Sequence, residues 1–440
     1  MLDGARLSQR LSYANAHLQD VRLVRQYGTV IDIQGPIVRI AAPDLQVGDI
    51  CEFITEPKGL LGEVIGFQDK LSLVTPLGSV HGLGPGTLVE RRGDALDFEF
   101  SEGLLGGIVS GLGELITPKP EGAVWTRRSV RNSSIAPMDR TLIDTPVCTG
   151  LRVIDGLTTL AGGQRIALFG PPGAGKSTLL AGIASNFDAD VIVFGLIGER
   201  GREISEFVAR KIPPETRERL VVVAAPADRP ALERIHAANV ATAIAEGFRD
   251  NGKSVLLILD SLTRVARAMR EVGLAAGEPP TRRGYPASVF ARLPELIERP
   301  GRTSKGQITA VYAVLSEGDV SNDPVVEETR SLVDGHIALD AKVFASGRFP
   351  AIDVMDSLSR MMRDVVSPRH MALATDMRNI ISRYEQVELL VQIGEYSRGQ
   401  DPETDRALDL YPEVVAFLSQ PDMDAVSYED TLEAMERICG

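Results

Sequence analysis

Nine residues constrain this chain more than any others. GPPGAGKST at positions 170–178 fits the pattern Gly, any four residues, Gly, Lys, then Ser or Thr, and it directly follows the apolar run RIALF at 165–169. A strand that ends in such a loop and opens into a helix has a specific physical use. Gly170, Gly173 and Gly175 let the stretch Gly170, Pro171, Pro172, Gly173, Ala174, Gly175 curl so that backbone N–H groups face inward at phosphate oxygens, and the helix beginning near Lys176 adds its positive dipole end. Lys176 is placed to hold β- and γ-phosphates, Ser177 to ligate Mg²⁺, and Thr178 completes the motif. A glycine-rich turn that binds nothing has no use for Lys-Ser at this spacing.

Around this loop the texture is that of a parallel sheet. The runs DVIVFGLIG from 190, LVVVAA from 220, SVLLILD from 254 and QITAVYAVL from 307 are continuously apolar and alternate with helical stretches, which suits strands covered by helices on both faces. From about 24 to 100 the pattern changes to short runs, GTVIDI, GPIVRIAA, DICEFI, LLGEVIGF and KLSLVTPL, separated by Gly, Pro and Asp turns, and reads as a small antiparallel β-barrel. After about Pro350 the strands are expected to stop, and text such as MRNIISRYEQVELLVQIGEY predicts a helical domain. At the other end Leu7, Leu11, Ala14, Leu18 and Val21 recur at helical spacing, with Arg6, Arg10, Asp20 and Arg22 on other faces. The expected organisation is a helix or tail at 1–23, a barrel at 24–100, an α/β phosphate-loop core with a parallel sheet at 101–350, and a helical C-terminal domain at 351–440.

Composition narrows the setting. The 47 Lys and Arg against 60 Asp and Glu give a net charge of −13, which repels polyanions and disfavours nucleic acid as a partner. No apolar run approaches the roughly 20 residues of a membrane span, and residues 1–25 mix charges instead of showing a signal peptide's apolar stretch, so a cytoplasmic location is expected. Cys51, Cys148 and Cys439 are widely separated, without paired metal-ligand spacing, and read as thiols in a reducing compartment.

Two acidic residues extend the phosphate-loop reading. Asp260 closes the run SVLLILD, where a carboxylate at the carboxyl end of a parallel strand reaches Mg²⁺ or its waters; taken alone it would be a cap or turn residue. In GLIGERGRE, Glu199 follows another strand on the same edge, with Gly198 and Gly201 leaving room for a water and Arg200 and Arg202 supplying countercharge. Glu199 is the candidate general base.

TGLRVIDGLTTLAGGQRIALFGPPGAGKSTLL, GERGREISEFV, LILDSLTRVARAMREV, GYPASVFARLPELIERPG, SEGD, TRSLVDGHIALD and FPAIDVMDSLSRMM occur in the order found in hexameric rotary ATPases. The chain resembles that group, which includes the ATP synthase catalytic subunits, over nearly its whole length and within it looks like the type III secretion ATPases. The resemblance implies a RecA-like core and a homohexamer with ATP and Mg²⁺ at subunit boundaries. It matches Glu199 to the catalytic glutamate, Arg200 to its active-site neighbour, Arg264 to an arginine near the phosphates, Arg360 to a finger reaching into the adjacent subunit's site, and Phe349 to the aromatic that stacks on adenine. It also implies a central stalk protein facing 267–288, a stator-like regulator on the first helix, export chaperone–substrate complexes on the C-terminal helices, and peripheral association with the inner-membrane export apparatus. The short link ERPGRTSKGQITA, where many flagellar members carry a glycine-rich extension, leans to the injectisome over flagellar export.

Three rival readings remain at this level. A catalytic subunit of a proton-translocating rotary ATPase would share its site with a second chain type, whereas this chain carries both Glu199 and Arg360. A ring-shaped RNA translocase would want basic residues and aromatics clustered in the barrel. A silent nucleotide-binding scaffold needs neither base nor finger.

Overall fold

The computed structural model describes residues 26–316, 323–421 and 424–440. The amphipathic pattern at 7–21 lies outside them. The chain folds as two compact units, one ending at Ala95 and one running from Leu96 to Gly440.

The first unit is a closed six-stranded barrel of β1 (Tyr27–Gln34), β2 (Ile37–Ala41), β3 (Ile50–Phe53), β4 (Leu60–Gln68), β5 (Leu71–Pro76) and β6 (Leu88–Gly93), ordered β1-β2-β5-β4-β3-β6 and closed by antiparallel pairing of β1 with β6. Every second residue of each strand faces inward, so Val30, Val38, Ile40, Phe53, Val64, Val74 and Val89 meet in one core with Cys51. Burial pushes the Cys51 thiol up to about 12, so it stays protonated and inert. The five runs read from the sequence are β1 to β5. The sixth, LVERRG, escapes notice because its charged half hides the alternation.

The second unit opens with β7 (Asp97–Phe100), β8 (Ile108–Ser110) and β9 (Thr126–Ser129), β7 and β9 pairing by themselves, and a small ladder of β10 (Pro146–Val147) with β11 (Leu160–Ala161). Its centre is an eight-stranded sheet, ordered β18-β17-β12-β16-β15-β13-β14-β8. The members are β12 (Arg165–Gly170), β13 (Val191–Ile197), β14 (Leu220–Ala225), β15 (Ser254–Asp260), β16 (Gln307–Leu315), β17 (Gly335–Leu339) and β18 (Ile352–Ser359), joined to β8. All neighbours are parallel except β17 and β18. Val255, Leu256, Leu257, Ile258 and Leu259 are wholly buried, as both-face coverage of a parallel strand requires; the helix Ala231–Asp250 packs on β13 and β15.

Strands do not stop at Pro350, since β18 follows it directly. Its sequence IDVMDSLS mixes polar and apolar residues without regular alternation, as befits a partly exposed strand at the sheet edge, and lacks the continuous apolar run that marks the central strands. Beyond it, the helices Pro368–Gln392, Pro402–Leu418 and Tyr428–Cys439 pack together and onto the helix Arg152–Leu157. Ser367, Asp401 and Ser427 cap the three through their side chains. Among the described residues no helix is long and apolar enough to cross a membrane. The architecture is the one expected: a barrel, an α/β nucleotide-binding core and a helical C-terminal part.

Candidate nucleotide site

The phosphate loop joins β12 to the helix Lys176–Asn186. Gly173 and Gly175 take φ of 86° and 79°, the left-handed region where a side chain is strained, and a Cβ at Gly170 would stand 2.9 Å from that of Leu339. The loop therefore needs glycine at 173 and 175 for backbone conformation and at 170 for the close approach of the Leu339 side chain. Ala174 is buried, whereas Pro172, Gly173 and Thr178 are exposed and Pro171, Gly175 and Ser177 partly so.

β15 ends beside the loop, separated from β12 by β16, so Asp260 reaches back toward Lys176. Lys176 Nζ lies 3.1 Å from Asp260 Oδ1, both side chains nearly buried. The pair sits at ion-pair distance but outside hydrogen-bond geometry, and neither atom has a hydrogen-bond partner. Buried charges left in this state are set up for further ligands. A hydroxyl at Ser177 and a carboxylate at Asp260 are the hard oxygen donors that suit Mg²⁺, an ion held by one or two protein oxygens together with phosphates.

Glu199 stands just past the end of β13, whose Leu196 is in register with Asp260. Its Oε2 is 2.8 Å from Arg264 Nη1, and the same Nη1 donates to the Gly198 carbonyl. Gly198 has φ of 70° and its missing side chain leaves room for Arg264, whose Cδ would be 2.8 Å from a Cβ there. Burial, and then the Asp260 charge, push the Glu199 carboxyl up to about 7; Arg264 opposes them. A carboxyl that titrates near neutrality at a strand end can accept a proton from water.

Lys176, Asp260, Glu199 and Arg264 are thus gathered on one edge of the sheet. Phe349 closes its other flank: its Cε2 is 3.0 Å from where a Gly175 Cβ would be. Two of the residues singled out from sequence stand apart. Arg200 points outward, its side chain 84% exposed and 3.8 Å from Glu203. Arg360 follows β18, exposed, with its backbone N–H donating to the Asp334 carbonyl at the amino end of β17, the far end from the phosphate loop. Sequence reasoning passed over Ser261, whose hydroxyl is fully buried beside Asp260 without a partner, and Phe344, whose ring also meets Gly175. Adjacency to Asp260 could have flagged the first; nothing local flags the second.

Comparison with known proteins gives the family. Residues 23–93 match the beta-barrel domain of the ATP synthase alpha/beta family, residues 150–359 its nucleotide-binding domain, and residues 366–437 the T3SS EscN ATPase C-terminal domain. The chain is 45% identical to the type 3 secretion system ATPase of Xanthomonas euvesicatoria, with 94% of each chain covered, and 40% identical to the flagellum-specific ATP synthase of Bacillus subtilis, covering 94% of this chain and 96% of that one. It superimposes on the assembled ATPase EscN of the enteropathogenic E. coli type III secretion system with a TM-score of 0.89 at 43% identity, covering 94% of this chain and 100% of that one. The TM-score is 0.87 for EscN in complex with its central stalk EscO, at 42% identity and the same coverage. The chain belongs to the ATP synthase alpha/beta family and, within it, to the type III secretion ATPases.

Proposed function

We propose that this chain hydrolyses Mg-ATP as a homohexameric ring and thereby drives chaperone release and unfolding of proteins exported by a type III apparatus, an injectisome in preference to a flagellar one. One observation carries the shared-site reading. Lys176, Asp260, Glu199 and Arg264 cluster at the carboxyl edge of the sheet, while Arg360 sits at the amino end of β17, with Ser359 opposite Gly335 and Ile352 opposite Leu339. The strand between spans about 13 Å at its usual rise, more than an arginine side chain covers. A chain with base and finger so placed completes its site with the finger of another copy.

In this reading Lys176 and the backbone N–H groups of 170–178 hold the β- and γ-phosphates, and Ser177 and Asp260 hold Mg²⁺, which when bound neutralises charge on the phosphate oxygens. Glu199 takes the proton of the attacking water, and Arg264 fixes that carboxylate. Phe349 stacks on the base. Arg360 of the neighbouring copy meets the charge that builds on the γ-phosphate. The exposed Arg200 is available at the same boundary.

The relative with a stalk bound supports a central stalk partner for this chain. A stator-like regulator on residues 1–23, chaperone–substrate complexes on the C-terminal helices, and a cytoplasmic position peripheral to the inner-membrane apparatus complete the proposal, and the net charge of −13 weighs against nucleic acid. The parts read from the sequence at 1–23, 24–100, 101–350 and 351–440 are proposed as its working units, with the barrel ending at Ala95 and β18 counted with the core sheet it joins.

Mixing two inactive variants tests the shared site. Glu199→Gln supplies a normal finger and Arg360→Ala a normal base, so rings assembled from both contain intact boundaries and should recover phosphate release that neither shows alone. Absence of recovery in rings shown to be mixed would refute the trans assignment of Arg360.

A further inference from the structure

We propose that Phe344 is a second nucleotide-contacting residue, forming with Phe349 a two-ring wall for the base at the end of the phosphate loop and setting a preference for purines over pyrimidines. The inference rests on the nucleotide reading above and deepens it. Phe344 lies on the short helix Ala341–Ala345, held at its start by Asp340, whose side chain accepts from Lys342 N at 2.6 Å. Phe344 N donates to the Asp340 carbonyl, and its own carbonyl accepts from Gly347 N at 3.0 Å. Gly347, with φ of 80°, then turns the chain so that Phe349 comes back toward the same point. The outcome is that both rings converge on Gly175: a methyl group there would stand 3.0 Å from Phe349 Cε2 and 3.4 Å from Phe344 Cε2.

The sheet order says which part of a ligand these rings would meet. Asp260 ends β15 and Glu199 follows β13, on one side of β12; the two rings follow β17, on the other. A nucleotide whose terminal phosphate points at Glu199 extends its nucleoside toward Phe344 and Phe349. Phe349 packs against the hydrophobic core, whereas Phe344 is 44% exposed. A lone exposed phenylalanine means little by itself. One fixed by a capped helix and a glycine turn against the phosphate loop presents a flat apolar surface where a flat base must lie, and the contact it gives grows with the size of the base.

Steady-state hydrolysis of Mg-ATP and Mg-CTP by the full chain, and binding of a fluorescent ATP analogue, test this. Phe344→Ala should raise KM for ATP about five-fold. It should leave kcat little changed, because the contact is made equally in ground and transition states. KM for CTP should move much less, and Phe344→Tyr should retain the wild-type values. An unaltered KM for ATP in Phe344→Ala, or equal shifts for ATP and CTP, would overturn the assignment. Lys176→Ala separates the two levels of the argument: analogue binding that survives this change unaltered would remove the nucleotide reading itself, whereas binding lost in Lys176→Ala but indifferent to Phe344→Ala would remove only the role of Phe344.

Discussion

Glu199 lies between opposing charges, Arg264 at 2.8 Å and the Asp260 carboxylate across the strand ends, with burial tipping the balance toward the protonated form. Its proton leaves at about pH 7, so the base form gains as pH rises through that value. The pH profile of kcat/KM should therefore have an acid limb near 7. Arg264 holds the limb down by favouring the carboxylate, so Arg264→Ala should move it to higher pH as well as lowering the rate, and Glu199→Gln should abolish the limb together with most activity. A limb that stays in place in Arg264→Ala would show that another group is being titrated. At this scale the sequence was legible wherever chemistry demands a fixed spacing. Gly170, Lys176 and Ser177 are marked by their motif, and Asp260 and Glu199 by their places after strands. Phe344 and Ser261 have no such spacing; their meaning comes from exposure in one case and burial in the other.

Elements around the site are held by buried polar ties. Arg299 and Glu246 form a two-pronged pair, with nitrogen-to-oxygen distances of 2.9 and 2.8 Å and both side chains 3% exposed. Asn132 donates to the same carboxylate at 2.6 Å, and Arg299 donates to Asn239 at 3.1 Å. The network pins the helix Ala231–Asp250 to the segment following the helix Ala287–Ile297. Arg299→Met leaves Glu246 buried and uncompensated and should cost about 3–5 kcal/mol of stability in denaturant unfolding; adding Glu246→Met should restore part of the loss. A double variant no more stable than Arg299→Met would argue that packing, not the orphaned charge, dominates. Continuous apolar runs made β12 to β16 readable nearly to their ends, while β6 and β18 were missed because each mixes charged or polar residues into its run. Pairings such as Arg299 with Glu246 join positions far apart in sequence, which no local pattern records.

For the molecule as a whole, the proposed division of the site between copies would tie rate to assembly. Specific activity of the wild-type chain should rise with protein concentration through the assembly range and level off above it, and Arg360→Ala should remain near baseline across the series. Specific activity independent of concentration while the oligomeric state changes would contradict a shared site. The expectation depends on the antiparallel return of β18 along β17, which carries the chain from Phe349 at one end of the sheet to Arg360 at the other.

By itself the sequence determined the phosphate-loop motif, the strands that present it, the barrel before it, the helices after it, and the placing of Asp260 and Glu199 at strand ends, because each is specified by local spacing or by runs and periods of apolar residues. Only the tertiary structure decided that Glu199 carries its proton near neutrality, that Lys176 and Asp260 face each other without hydrogen bonds, that two phenylalanines converge on Gly175, and that Arg360 lies at the wrong end of its own sheet. Those are properties of distance and burial between segments remote in the chain, and distance is what folding adds.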